Sequence, residues 1–192
     1  MEKYQEEKYC FEKIREHIYP WVKESLKDNL ASNGKIITTE NAPVISFVGG
    51  LMIVFAIKRG EDSYEILKDD MLPPKTDIEK LYHIACKNLV RDVEFVFSNT
   101  MYGGFGVLAD GVHEASALCL RHIWEVCTDK LKDDVVIMVP SKDLVLFVPE
   151  QDKKALKQMI DFGNEGWKRS EHKVSKKLFR FSGTKKELTE YI

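Results

Sequence analysis

Apolar residues recur in two rhythms along this chain. Over residues 4–29 they fall at Phe11, Ile14, Ile18, Val22 and Leu26, a spacing of three to four that predicts helix. Pro20 inside that pattern removes a backbone donor and disfavours helix at Tyr19, which predicts a kink or two short helices. Asn33-Gly34 marks a turn, and residues 35–39 are β-prone, a candidate edge strand. The rhythm then changes. Residues 43–48 and 51–57 flank Gly49-Gly50, glycines that suit the positive φ of a hairpin turn. Residues 64–67 predict a further strand. After Pro73-Pro74, Thr76 with Glu79 reads as a capping box for a helix whose stripe is Ile78, Leu81, Tyr82, Ala85 and Leu89.

Residues 93–97 and 105–109 predict two strands. A long helix follows from Asp110 or Gly111 to about Leu131, with the charged set Glu114, Arg121, Glu125 and Asp129 on one narrow face. A helix so apolar is expected between a sheet and another element. The runs VVIMV and LVLFV predict a hairpin separated by Pro140, Ser141, Lys142 and Asp143. Asp152 caps a last helix with Ala155, Leu156, Met159, Ile160 and Phe162 inward, fraying at Gly163 and Gly166, and residues 178–181 form a final strand.

A strand pair followed by a helix thus recurs over residues 43–91, 93–131 and 135–167. Hairpins joined by helices predict an α+β fold, a mainly antiparallel sheet with helices packed on it. The expected organisation is an N-terminal helical appendage over residues 1–32, an α+β domain over 33–182 and a mobile end over 183–192.

Composition narrows the function classes. Hydrophobic residues make up 44% and charged residues 31%, which excludes extensive disorder. The net charge of −2 excludes a global field that would draw the chain to nucleic acid or membrane. The opening MEKYQEEKYCFEK is too charged for a secretory signal. The apolar stretch over 42–57 is too short, too β-branched and too interrupted by glycine for a membrane helix. Cys10, Cys86, Cys119 and Cys127 lack framework spacing and read as reduced, structural thiols of a cytoplasmic protein.

Local chemistry is thin. His83 with Cys86 and Cys119 with His122 are donors at helical spacing. However, His83 falls among Lys80, Lys87 and Arg91 while Cys119 lies in an apolar stripe, so no metal site is expected. The cysteines sit on apolar faces unsuited to a nucleophile. Ser141 lacks the glycines of a nucleophile elbow. YGGFG over residues 102–106 lacks the lysine and the following helix of a phosphate loop, and no cofactor fingerprint appears.

The sequence does concentrate cations at one end. Eleven of the 29 Lys and Arg lie from Asp152 onward, against six of the 31 Asp and Glu. Lys168, Arg169, Lys173, Lys176, Lys177, Arg180, Lys185 and Lys186 are interleaved with Trp167, Phe179 and Phe181. Such a run suits a solvated rim, a face that docks an acidic protein or a second copy, or a grip on a nucleic-acid backbone. Lys142 and Asp143, at the hairpin tip, place one cation and one anion between buried strands and join the candidate contact residues.

Two pieces of the chain resemble a known family. Asp110, Gly111, Glu114, Ala115 and Ser116, and then Val139, Pro140, Asp143, Val145 and Leu146, are similar to motifs of the bacterial YtpQ-like family, numbered 1444 among the domains of unknown function. The resemblance covers roughly residues 47–148. It implies the fold unit and no reaction. The reading that results is a cytoplasmic, non-catalytic protein-binding or regulatory module. The alternatives are a nucleic-acid-binding accessory protein acting through the basic C-terminal part, and an enzyme whose site is dispersed over loops.

Overall fold

The computed structural model describes residues 11–26 and 36–192. Cys10, the turn at Asn33-Gly34 and both ends of the first expected helix lie outside them. The chain divides into two compact units, Met1–Ser46 with Met52–Asp92, and Phe47–Leu51 with Val93–Ile192. The boundary expected near residue 32 lies outside the described residues, and the two units meet in sequence at Asp92 and Val93.

Among the described residues the first unit holds a four-stranded antiparallel sheet. Its centre is β3 (Met52–Lys58), paired with β1 (Ile18–Lys23) on one side from Ile18↔Ile57 to Lys23↔Met52. On its other side β2 (Val44–Ser46) and β4 (Tyr64–Ile66) pair with successive parts of β3. A single helical turn, α1 (Phe11–Ile14), precedes β1, and α2 (Ile78–Asp92) follows β4. Ile14, Ile18, Phe55, Ile57, Leu67, Leu81 and Ala85 form the core, and the Asn88 amide donates to the carbonyls of Arg15 and Ile18.

The described part of the expected N-terminal helix keeps helical turns only over residues 11–17 and becomes strand over Ile18–Lys23. Ile14, Ile18, Val22 and Leu26 are four apart, a step that keeps one face of a helix and equally one face of a strand. Pairing with β3 decided the matter. Pro20 stands opposite Phe55 in that pairing. Residues 36–39 are not a named strand; Ile37 is buried and Asn41 accepts from the Thr38 amide. The cap of α2 is Asp77, whose Oδ1 accepts from Glu79 and Lys80, while Thr76 donates to the Pro73 carbonyl.

The second unit is a six-stranded antiparallel sheet in the order β10-β9-β7-β8-β6-β5. These are β5 (Val96–Asn99), β6 (Phe105–Leu108), β7 (Val135–Ser141), β8 (Leu144–Pro149), β9 (Leu178–Ser182) and β10 (Glu187–Glu190). Val136, Met138, Leu146 and Val148 pack against Ala155, Leu156 and Met159 of α4 (Lys153–Arg169). Alternation puts Phe147 on the opposite face, where it meets Trp124 of α3 (Arg121–Leu131) edge to face at 5.6 Å. With both faces covered, every residue of β7 is buried.

Three expectations change here. The long central helix is a 3₁₀ segment, Glu114–Cys119, broken at Leu120 before α3. Side chains hold the backbone of this segment: Asp110 accepts from Val112 and His113, Glu114 accepts from Ala109 and Gly111, and the Trp124 indole donates to the Ala117 carbonyl, which a continuous helix would pair internally. The α3 helix is also one-sided, with Ile123, Trp124 and Cys127 buried and Val126 exposed. Secondly, α4 does not fray at Gly163; it continues to Arg169, and a β-carbon at Gly163 would collide with Met138 while one at Gly166 would collide with Leu144. The glycines let the helix lie close on the hairpin. Thirdly, the end expected to be mobile contains β10, paired with β9 from Glu187↔Ser182 to Glu190↔Phe179. The fold class is α+β. No helix among the described residues is long and apolar enough to cross a membrane.

Candidate binding face

Close packing of α4 brings its last turn to the tip of the β7–β8 hairpin. Ser170 leaves the helix in extended conformation, and the chain then runs back beside the end of β7. Lys142 N–H donates to the His172 carbonyl at 3.1 Å, Val174 N–H to Pro140 at 2.9 Å and Ser175 N–H to Val139 at 2.9 Å. This return strap sets two ammonium groups over one indole. Lys173 Nζ stands 4.4 Å and Lys176 Nζ 4.7 Å from the Trp167 ring centroid. Each such cation–π contact contributes about 0.5–1 kcal/mol at an exposed site. A hollow of about 300 Å³ beside them is lined by Asn164, Trp167, Lys168 and Lys176.

The cations expected to face a partner sort into two groups. Lys168 pairs with Glu165 at 2.7 Å, and Lys177 reaches Glu190 at 3.1 Å and the Gly49 carbonyl at 3.0 Å. Arg180 pairs with Asp134 at 2.6 Å and Glu150 at 3.1 Å. By contrast, Lys142, Arg169, Lys173 and Lys176 make no ion pair among the described residues. Asp143 accepts from the Ser141 hydroxyl at 2.7 Å, an anion held by its own turn. Phe179 and Phe181 are 0% and 1% exposed and belong to the sheet core, so of the interleaved aromatics only Trp167 reaches the face.

A second feature went unread in the sequence. At the opposite end of β7 a cleft of about 650 Å³ is lined by Glu125, Asp129, Asp133, Asp134 and Glu150, with Lys132, Arg180 and Lys186. The hairpin register pairs Val135 with Pro149, so Asp134 and Glu150 necessarily flank it as adjacent acids in need of a cation. That signal was present in the sequence once the hairpin was placed. Arg180, from the neighbouring β9, answers it.

In the first unit, a cleft of about 830 Å³ is lined by His17, Tyr19, Lys58, Arg59, Gly60, Arg91 and Asp92. Its polar groups chiefly serve each other. Tyr19 donates to Asp92 at 2.7 Å, and Arg91 holds Glu16 at 2.7 Å and Asp92 at 2.6 Å. The Arg91 hydrogen bond is the largest influence on Asp92 and holds its carboxyl below the ordinary value, against burial and with help from Tyr19. Burial and the Asp92 hydrogen bond push the Tyr19 hydroxyl well up.

The buried His113 ring lies 2.7 Å from Asp110 Oδ2. Burial alone would raise the Asp110 carboxyl, but the His113 ring and the Val112 and His113 amides outweigh it and hold it low. Burial pushes the Cys86 and Cys127 thiols up to about 11, so both are protonated at neutral pH. Among the described residues no three His, Cys, Asp or Glu side chains are grouped to hold a metal ion. His83 and Cys86 belong to the first unit, Cys119 and His122 to the second. No family model, curated protein or solved structure matches the chain.

Proposed function

We propose that this protein is a non-catalytic binding module that engages an acidic segment of a protein through the face around Trp167. The observation that carries the reading is the pair of exposed ammonium groups over one indole, Lys173 at 4.4 Å and Lys176 at 4.7 Å. Neither has a carboxylate partner among the described residues, and Lys142 and Arg169 extend the same uncompensated charge. An acidic side chain can pair with either ammonium from the solvent side without displacing it from the indole.

Nucleic acid fits less well. Base stacking needs open aromatic faces, Phe179 and Phe181 are in the core, and two cations already lie over Trp167. The resemblance of residues 47–148 to the YtpQ-like family assigns no reaction and adds nothing to this choice. Three free thiols among the described residues suit the cytoplasmic setting.

The test is retention of the full chain on polyglutamate and on a single-stranded oligonucleotide across a salt series. Polyglutamate should retain the chain at low salt, and Lys173→Glu with Lys176→Glu should abolish retention while lowering the melting temperature by only the few degrees that two lost cation–π contacts account for. Stronger retention by the oligonucleotide, or full retention of the double variant, would overturn the reading.

A further inference from the structure

We infer that the acidic partner of the Trp167 face is the cleft at the other end of the sheet in a second copy of this chain. The inference rests on the reading above and names its partner. The two surfaces lie at opposite ends of one strand. β7 begins at Val135, next to Asp134 in the cleft, and ends at Ser141, next to Lys142 at the basic tip. A strand of that length spans about 20 Å. That is more than two Debye lengths of about 8 Å at physiological salt, so the two charges do not neutralise each other within one copy.

Each surface carries the charge that the other lacks. Five carboxylates line the cleft against three cations. The single charge of Arg180 is shared by Asp134 and Glu150, Lys132 serves Asp129 at 2.9 Å, Arg121 at 2.9 Å and Lys186 at 3.9 Å serve Glu125, and Asp133 makes no ion pair among the described residues. The cleft therefore keeps negative charge inside a volume of about 650 Å³. At the other end Lys142, Arg169, Lys173 and Lys176 make no ion pair among the described residues. Because the two surfaces differ, their contact is head to tail, and successive copies build rings or rows instead of a closed two-fold dimer.

Sedimentation velocity of the full chain tests this. Species larger than a dimer should grow with concentration at about 50 mM salt and vanish at about 500 mM, where screening lengths shorten severalfold. Two neutralised variants separate the ends: Lys173→Gln with Lys176→Gln, and Asp129→Asn with Asp133→Asn. Asparagine at 133 keeps an oxygen for the Gln151 amide that Asp133 now satisfies, and Asp129 is 81% exposed, so the fold is preserved. Each variant alone should associate at least tenfold more weakly. An equimolar mixture should form dimers and nothing larger, because it contains one intact surface of each kind.

A wild-type chain that stays monomeric at every concentration overturns the inference, as does a mixture that fails to complement. Polyglutamate retention by a monomeric chain keeps the acid-binding face and removes only self-association. Loss of both removes both.

Discussion

Arg180 Nη2 stands 2.6 Å from Asp134 Oδ2, and its Nε stands 3.1 Å from Glu150. A cation expected to reach outward thus ties β9 to the ends of β7 and β8. Its removal leaves two partly buried carboxylates side by side, and loss of one partner of such a hydrogen-bonded pair costs about 1–3 kcal/mol. Arg180→Ala should lower the urea midpoint accordingly while leaving polyglutamate retention intact. Lys173→Glu with Lys176→Glu should abolish retention while lowering the midpoint by no more than its two cation–π contacts supply. The two variants therefore separate a structural cation from binding cations within one basic stretch.

Acid should loosen the first unit. The carboxyls of Asp92 and Glu16 are held below their ordinary values in the folded chain, Asp92 mainly by Arg91 and Glu16 mainly by Arg15 and then Arg91. The folded state then binds fewer protons than the unfolded chain as pH falls through the carboxyl range. Their contribution is complete above the unfolded value and is lost as pH drops through the depressed folded values. Stability should decline below about pH 4–5. Asp92→Asn should flatten that decline in urea titrations taken at successive pH values, and an unchanged slope would show that Asp92 is not part of it.

The thiols should be slow. Burial pushes Cys86 and Cys127 up to about 11, so the reactive thiolate is scarce at neutral pH. Alkylation at pH 7 should leave both unmodified over a period that labels them fully in urea. Raising the pH toward 9 should accelerate native labelling far less than access to the unfolded chain does.

What the sequence made legible was whatever a single period decides. The β7–β8 hairpin and α4 stand because runs of β-branched residues, and the stripe of Ala155, Leu156 and Met159, admit one reading each. The N-terminal stretch did not, because steps of four satisfy both periods and only the partner β3 distinguishes them. The central segment misled for another reason. Its composition suits a helix, yet the carboxylates of Asp110 and Glu114 hold backbone amides in a turn, an interaction that apolar periodicity does not report. For the candidate face, charge and aromatic content were visible, but which cations are spent internally depends on acids that are distant in sequence, such as Asp134 for Arg180. Phe179 and Phe181 alternate with the half-exposed Arg180 in a strand that buries the phenylalanines, so proximity to basic residues said nothing about exposure.

Gly104 and Gly106 give the sharpest test of how the second sheet is packed. They are two residues apart at the start of β6, and substitution should have opposite outcomes. A β-carbon on Gly104 would collide with the Tyr102 ring and stand 2.5 Å from Val148 Cγ1 and 2.9 Å from the Phe147 carbonyl. The Tyr102 ring cannot easily withdraw, since its hydroxyl donates to the Phe105 carbonyl at 2.9 Å and its face meets Phe162 at 5.9 Å. The Phe147 carbonyl is backbone within β8. Overpacking of this kind costs about 1–3 kcal/mol. On Gly106 the nearest atoms would be Thr100 Cγ2 at 3.7 Å and the Val145 carbonyl at 3.8 Å, ordinary contact distances. There the added methyl only restricts the unfolded chain, which favours folding by about 0.4–1 kcal/mol. Gly104→Ala should therefore lower the urea midpoint and Gly106→Ala should hold or raise it. The Tyr102 hydroxyl provides an independent readout, because burial pushes it up to about 12. In Gly104→Ala, a ring displaced toward solvent should titrate nearer the ordinary value of 10; a Gly104→Ala chain as stable as the wild type, with that titration unmoved, would mean that Tyr102 does not clamp β6 as described.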